Sequence, residues 1–420
     1  MKKVYRRVLS MALAVAVSGL CGLGFTGRSV QANSVKLNIG IWDSNQEPGL
    51  RKIIDKYASE KGIDYEISIV DWNNYWTKME SAAAGGQLPD VFWMHSNESQ
   101  RYMAAGLLLP MNQRIEEKGI DLSKYPGDIL KLYEYEGEQY ALPKDIDTIA
   151  LAYNKKLFDE KGIAYPDETW DYAKFEEVAN ALTDKEKGIY GFFSAPSNNQ
   201  AGYYNAIYSA GGFVCDRETK KSGFDDPKTV EAMDVFVRLA QTAMPSLAEM
   251  AETGDQNLMT SGHLAMCFHG SWVVPAFKDN EYARENLAYA VLPKWGDKRV
   301  SIFNGLGWSV FAKTEHPDEA FDLVAYLTGK EAQIEQAKLG VTMSAYEGTS
   351  DDWASSSEYF DLTPFLKMRE DMEIRPYSKN TVRWENRSFE LLQDAWSGER
   401  STEEVCKQIA EEMNSILAEE

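Results

Sequence analysis

The chain has 420 residues, enough for two domains with cores of their own, and its 44% hydrophobic and 26% charged residues suit a soluble globular protein. Its formal net charge of −21 excludes a reader of phosphate backbones, which needs a basic face, so nucleic acid is not an expected partner. The acidic surface favours solubility and neutral or cationic partners, and carries no information about fold.

The chain opens like an export signal. "MKKVYRR" is a basic leader and "VLSMALAVAVSGLCGLGF" an apolar stretch of signal length. Val30, Gln31 and Ala32 place small residues where a signal peptidase reads, which predicts a signal peptide over 1–32 and cleavage after Ala32. That cut removes five basic residues and no acid, leaving a charge of −26. Cys21 offers a lipid-attachment alternative, with bulky Leu20 where a small residue is usual, and an uncleaved anchor is a third reading. No later segment is apolar for long enough to span a bilayer. Cys215, Cys267 and Cys406 remain. Three thiols without a CxxC allow one disulfide at most and show no metal framework, so buried free thiols are expected.

Alternation of Leu37, Ile39 and Ile41 predicts a first strand, and Leu50, Ile53, Ile54 and Tyr57 form one face of a helix. "DYEISIV" reads as a second strand. A Trp-rich segment with a helix follows, then "LPDVFWMH" as a third strand. This βαβ alternation predicts a mainly parallel sheet wrapped by helices. "TIALAYN", "HLAMCFHG" and "LAYAVLP" repeat the strand pattern, and Phe175, Val178, Ala179 and Leu182 form a helical stripe after an expected Thr169 cap. "HPDEAFDLVAYLTG" starts with Pro317, Asp318 and Glu319, carries an Ala320/Leu323/Val324/Leu327 stripe and stops at Gly329. Ser401 and Glu404 make a capping box ahead of the last helix, with Val405 and Ile409 on its apolar face.

Catalytic signals are poor. His95, His263, His269 and His316 match no HExxH, and GxSxG, P-loop and GxGxxG patterns are absent. An acid pair such as Asp145/Asp147 could serve glycoside hydrolysis, but 65 acids make some close pair inevitable. The 11 Trp and 22 Tyr are more informative. Trp42, Trp93, Trp272 (in "FHGSW") and Trp308 fall where strands should end, and open α/β sheets bind ligands there. Asp43, Asn45, Asn97, Glu98, Asp147 and Asn304 lie next to these aromatics. Indole faces beside carboxylates and amides are the chemistry of sugar binding, and equally of core packing beside solvated loops.

Four segments then resemble a known family. They are "GGQLPDVFWMHSNESQRYMAAGLLLPM", "YALPKDIDTIALAYNKKLFDEKGIAYPDETWDYAKF", "MTSGHLAMCFHGSW" and "FNGLGWSVFAKTEHPDEAFDLVAYL". In this order and spacing the chain resembles the extracellular solute-binding proteins of family 1, the sugar-binding subunits of ABC importers. The resemblance implies an α/β, two-lobed type II periplasmic-binding-protein fold with a ligand cleft between the lobes. It implies crossovers near Asp147–Ala150, Gly305–Gly307 and Gly340–Tyr346, with one lobe of 33–147 plus 308–343 and another of 148–307 plus 344–420. Trp272 matches a stacking tryptophan, with Gly270 letting the backbone approach the ligand and Ser271 between them among the expected ligand-binding residues. Trp93 matches a cleft tryptophan, Asp147 an acid at the first hinge, Trp308 a residue at the second, and Trp384 a late cleft aromatic. Ser96-Asn97 stand where the maltose-binding branch has an Asp-Arg pair, so an oligosaccharide rather than maltose is implied. The implied protein is a monomer without cofactor or metal, held outside the membrane, which hands its ligand to permease subunits. A polyamine or phosphodiester cargo and a secreted carbohydrate-active enzyme remain as alternatives.

Overall fold

Alternating burial along Lys36–Ile41 and full burial of Val91–Met94 mark the inner strands of a sheet. The computed structural model describes residues 35–420; the expected signal peptide, its cleavage after Ala32 and Cys21 lie outside the described residues. The first sheet runs Asp64–Ile69, Lys36–Ile41, Val91–Met94, Gly307–Val310, Ala141–Pro143. The second runs Leu287–Ala290, Ile149–Asn154, Leu264–Gly270, Tyr190–Phe193. One sheet underlies each lobe.

The sheets are mixed rather than mainly parallel. Lys36–Ile41 pairs in parallel with both neighbours, as its connecting helices Glu47–Lys61 and Trp72–Ala84 require. Gly307–Val310 is antiparallel to both of its neighbours, and so is Ile149–Asn154. These strands arrive directly from the other sheet, with no helical crossover to turn them parallel.

The expected helix signals act with two differences. Pro317–Thr328 starts at its proline and buries Ala320, Phe321, Leu323, Val324 and Leu327, each large side chain contributing about 2 kcal/mol. Gly329 is extended and begins the next helix, Lys330–Lys338. Thr169 is not the cap of Tyr172–Leu182: Asp171 accepts from the Lys174 amide at 2.7 Å, while Thr169 donates to Asp167 in a local turn. The Ser401/Glu404 capping box forms in full. Cys267 and Cys406 are buried free thiols, and Cys215 is half-buried. Among the described residues no helix is long and apolar enough to cross a membrane.

Residues 144–148 and 304–306 carry the chain between the sheets side by side. Lys144 and Asp147 amides donate to the Leu306 and Asn304 carbonyls, at 2.7 and 2.9 Å. In return the Asp145 carboxylate accepts from the Leu306 amide at 2.7 Å, and Asp147 from the Asn304 amide at 2.9 Å. A third segment joins them: Ile146 N–H donates to the Met343 carbonyl, and Asp145 bridges Ser344. Gln333 and Gln336 amides both donate to the Lys144 carbonyl. Gly305 serves close approach here rather than backbone freedom, since a Cβ would lie 2.3 Å from the Asp145 carbonyl oxygen.

Candidate functional site

Where the crossing strands meet, a cleft of about 1020 Å³ opens between the sheets. Its floor is Asp145, Ile146 and Asp147. One wall is aromatic. Trp42 ends the first strand, and Trp72 and Trp76 stand four apart on Trp72–Ala84, hence on one helix face. Trp42 lies 5.2 Å from Trp72 and 6.2 Å from Trp76, and the latter two are 6.1 Å apart, edge to face. Trp72 is 41% exposed, and Trp42 and Trp76 beside it are half-buried. Asp43, Asn45, Asn97 and Glu98 line the cleft beside this wall. Asp43 accepts from the Asn45 amide and from Gln46, both at 2.8 Å. Burial pushes the Glu98 carboxyl up, against the pull of Arg101 at 2.5 Å.

The second sheet supplies the other wall. Leu264–Gly270 delivers Gly270, Ser271 and Trp272 to the cleft. A Cβ on Gly270 would sit 2.0–2.2 Å from three atoms of the Trp272 ring, so the glycine makes room for the indole rather than for a ligand. Gln200 donates to Asp147 at 2.7 Å, and Asn199 to Glu385 at 2.8 Å. Arg375 meets Glu385 at 2.5 Å, both buried, and leaves its Nε and Nη1 without partners. Burial, with Asp145 next, raises Asp147 to about 8, so it enters neutral solution largely protonated. Burial, with the Arg375 charge next, pushes His95 down to about 3, so its imidazole is neutral. Its Nδ1 accepts from the Asn97 amide at 3.2 Å, capping the helix Ser96–Ala104.

Four expected residues do not line the cleft. Trp93 and Trp308 are direct partners on antiparallel strands and therefore share one face, with rings 5.9 Å apart. That face is the apolar core of the first lobe, where Trp93 backs Trp42 at 5.0 Å. Trp384 lies off the helix face that meets the cleft, which Val382, Glu385, Asn386 and Phe389 form at helical spacing; its Nε1 donates to Ser378 at 3.0 Å. Asn304 is buried beneath the floor, its side-chain amide 3.1 Å from His95 Nε2. Sequence reading passed over Trp72, Trp76, Gln200 and Arg375 and weighed His95 only as a catalytic residue, although the four-residue spacing of the first two was a legible signal.

Two α/β lobes joined by three crossing segments around an aromatic, acid-rich cleft define a type II solute-binding architecture. Residues 43–334 match the family model of the bacterial extracellular solute-binding proteins, and the chain belongs to that family. Its members are binding proteins that act outside the cytoplasm. The maltotriose-binding protein of Pyrococcus abyssi is 29% identical over 310 residues, 71% of this chain; the match spans 64% of that relative's length. The galactooligosaccharide-binding protein of Bacillus subtilis is 24% identical, with 77% of this chain and 76% of the relative covered. An ABC substrate-binding protein from Listeria monocytogenes, solved in complex with cycloalternan, shares the fold with a TM-score of 0.85 and 20% identity, covering 92% of this chain and all of the other. The GacH receptor of Streptomyces glaucescens, solved unliganded and with acarbose, gives 0.80 at 21% identity, with 92% and 99% covered.

Proposed function

We propose that this chain captures an oligosaccharide between lobes of 33–147 plus 308–343 and 148–307 plus 344–420, and delivers it as a monomer to an ABC-type permease. The observation that carries the reading is the make-up of the cleft. Indole surfaces from Trp42, Trp72 and Trp76 stand on one wall and Trp272 on the other, suited to the C–H faces of sugar rings. Between them lie buried polar atoms without protein partners: Trp76 Nε1, Ser271 Oγ, Thr342 Oγ1 and Arg375 Nε and Nη1. Such atoms cost stability unless something bonds them, and sugar hydroxyls both donate and accept. The ligands of the relatives and neighbours, maltotriose, galactooligosaccharide and cycloalternan, support the same class. Binding needs no cofactor; contacts to both lobes favour a closed state that a permease can recognise.

A phosphodiester fits poorly, because among the described residues Arg375 is the one Lys or Arg side chain on the lining and Glu385 already holds it. A polyamine is the rival that the acids on the lining favour. The test is intrinsic tryptophan fluorescence of residues 33–420 titrated with neutral oligosaccharides, spermidine and glycerol phosphodiesters. A saturable response to one sugar class supports the reading. A response to spermidine alone overturns the cargo.

A further inference from the structure

Behind the Trp272 loop, three side chains with metal-binding atoms converge. Cys267 and His269 are two apart on Leu264–Gly270 and so project from the same face of that strand. Asp255 is the first residue of the helix Asp255–Thr260 packed against it. His269 Nε2 lies 2.9 Å from Asp255 Oδ2, and Cys267 Sγ lies 3.7 Å from the same oxygen. One donor atom from each of the three falls within 4.8 Å of the others. Cys267 and His269 are buried, whereas Asp255 and His269 also border the cleft.

We propose that Asp255, Cys267 and His269 hold one zinc ion, with the fourth coordination position open to the cleft. A thiolate, an imidazole and a carboxylate are the donor types zinc takes, and three protein ligands plus an open position is a recurrent arrangement. Bond lengths of about 2.0–2.3 Å in a tetrahedron set the donor atoms about 3.3–3.8 Å apart. The sulfur–oxygen edge already has that length. The nitrogen–oxygen edge must open by a few tenths of an ångström, which the Asp255 side chain can supply by rotation. The sheet holds the strand that carries the other two donors on both sides, and their sulfur–nitrogen edge, within 4.8 Å, is adjusted by side-chain rotation.

Without metal the same atoms form a hydrogen-bonded cluster. Burial pushes the Asp255 carboxyl up, but the bond and charge of His269, with the Gln256 amide and Cys267, together leave it below its ordinary value. Burial, then the nearby Asp255 charge, raises the Cys267 thiol, which therefore keeps its proton until a cation arrives. Zinc entry forms the Zn–S, Zn–N and Zn–O bonds: the Cys267 S–H bond breaks and its proton leaves to solvent, while the proton by which His269 Nε2 bonds Asp255 leaves that nitrogen and the ring is left protonated on Nδ1. His269 coordinates through Nε2 and carries its own proton on Nδ1. The ion would tie the helix Asp255–Thr260 to the strand that ends at Gly270, whatever the cargo.

The test uses residues 33–420 stripped with chelator and titrated with Co(II), a spectroscopic substitute for zinc. The expected result is one equivalent bound, with a thiolate-to-cobalt charge-transfer band and tetrahedral d–d bands that zinc abolishes by displacement. Cys267→Ser should lose the charge-transfer band, and Asp255→Asn and His269→Gln should weaken binding at least tenfold. The Cys215→Ser/Cys406→Ser double variant should keep the full spectrum, and circular dichroism checks that each variant is folded. Absence of the band in the wild-type chain, or its survival in Cys267→Ser, overturns the proposal without any reference to sugar binding.

Discussion

Gly270→Ala isolates one atom. The backbone there, at φ −75° and ψ 153°, suits alanine as well as glycine, so the change brings no conformational penalty of its own. The added methyl would lie 2.0 Å from Trp272 Cζ3, 2.1 Å from Cη2 and 2.2 Å from Cε3. No van der Waals contact survives at that distance, and the blocking atoms belong to a stiff indole, so the ring must swing away. If Trp272 stacks on the ligand, its contact is worth about 1–3 kcal/mol. Gly270→Ala should therefore weaken binding about 5- to 150-fold. Because the methyl acts through the ring, Gly270→Ala/Trp272→Ala should bind as Trp272→Ala alone does, which a double-mutant cycle by calorimetric titration measures. Full affinity in Gly270→Ala, or additive losses in the cycle, would refute the reasoning.

Trp72→Ala removes an exposed wall residue and should weaken ligand binding while leaving the denaturation midpoint nearly unchanged. Trp93→Ala removes a buried support and should cost about 3–5 kcal/mol of stability in urea titration. Arg375→Met leaves Glu385 buried without its partner and should cost about 3–5 kcal/mol, with Glu385→Gln in the same chain recovering part of it. For His95 the folded value near 3 lies below its ordinary 6.5, so the unfolded chain takes up the proton first. Stability should fall as pH drops from about 6.5 towards 3, and His95→Gln should flatten that limb in thermal melts. Asp147 has the opposite sign: its folded value near 8 exceeds the ordinary 3.8, so stability falls as pH rises between them. Asp147→Asn should stabilise most near pH 8 and above, with no gain below about pH 4.

The strands, the helix stripes and the Ser401 box were legible because each is a local pattern whose periodicity or capping chemistry acts within a few residues. Cleft and core tryptophans were not separable in the same way. Trp93 and Trp308 carry the same local signal as Trp42, and only the strand pairing decides which face they occupy. Trp384 was misplaced by one position on a helix, enough to turn a side chain away from the cleft and into the core. Arg375 and Gln200 come from segments that reach the cleft only through long-range packing, and no spacing announces them. The antiparallel returns were hidden for the same reason, since sequence order does not state from which side a strand enters its sheet.

The laced strands beneath the floor also bear on kinetics. Three separate connections could twist independently, giving the lobes many relative orientations. Here Asp145 and Asp147 fasten the first connection to the second, Met343 and Ser344 fasten it to the third, and Gln333 and Gln336 tie it to the helix Lys330–Lys338. One cannot turn without the others, so the lobes are left with essentially a single coordinate along which to open. A ligand then has one equilibrium to bias rather than a family of poses to select, and its presence reduces to a binary signal: mouth open or mouth shut.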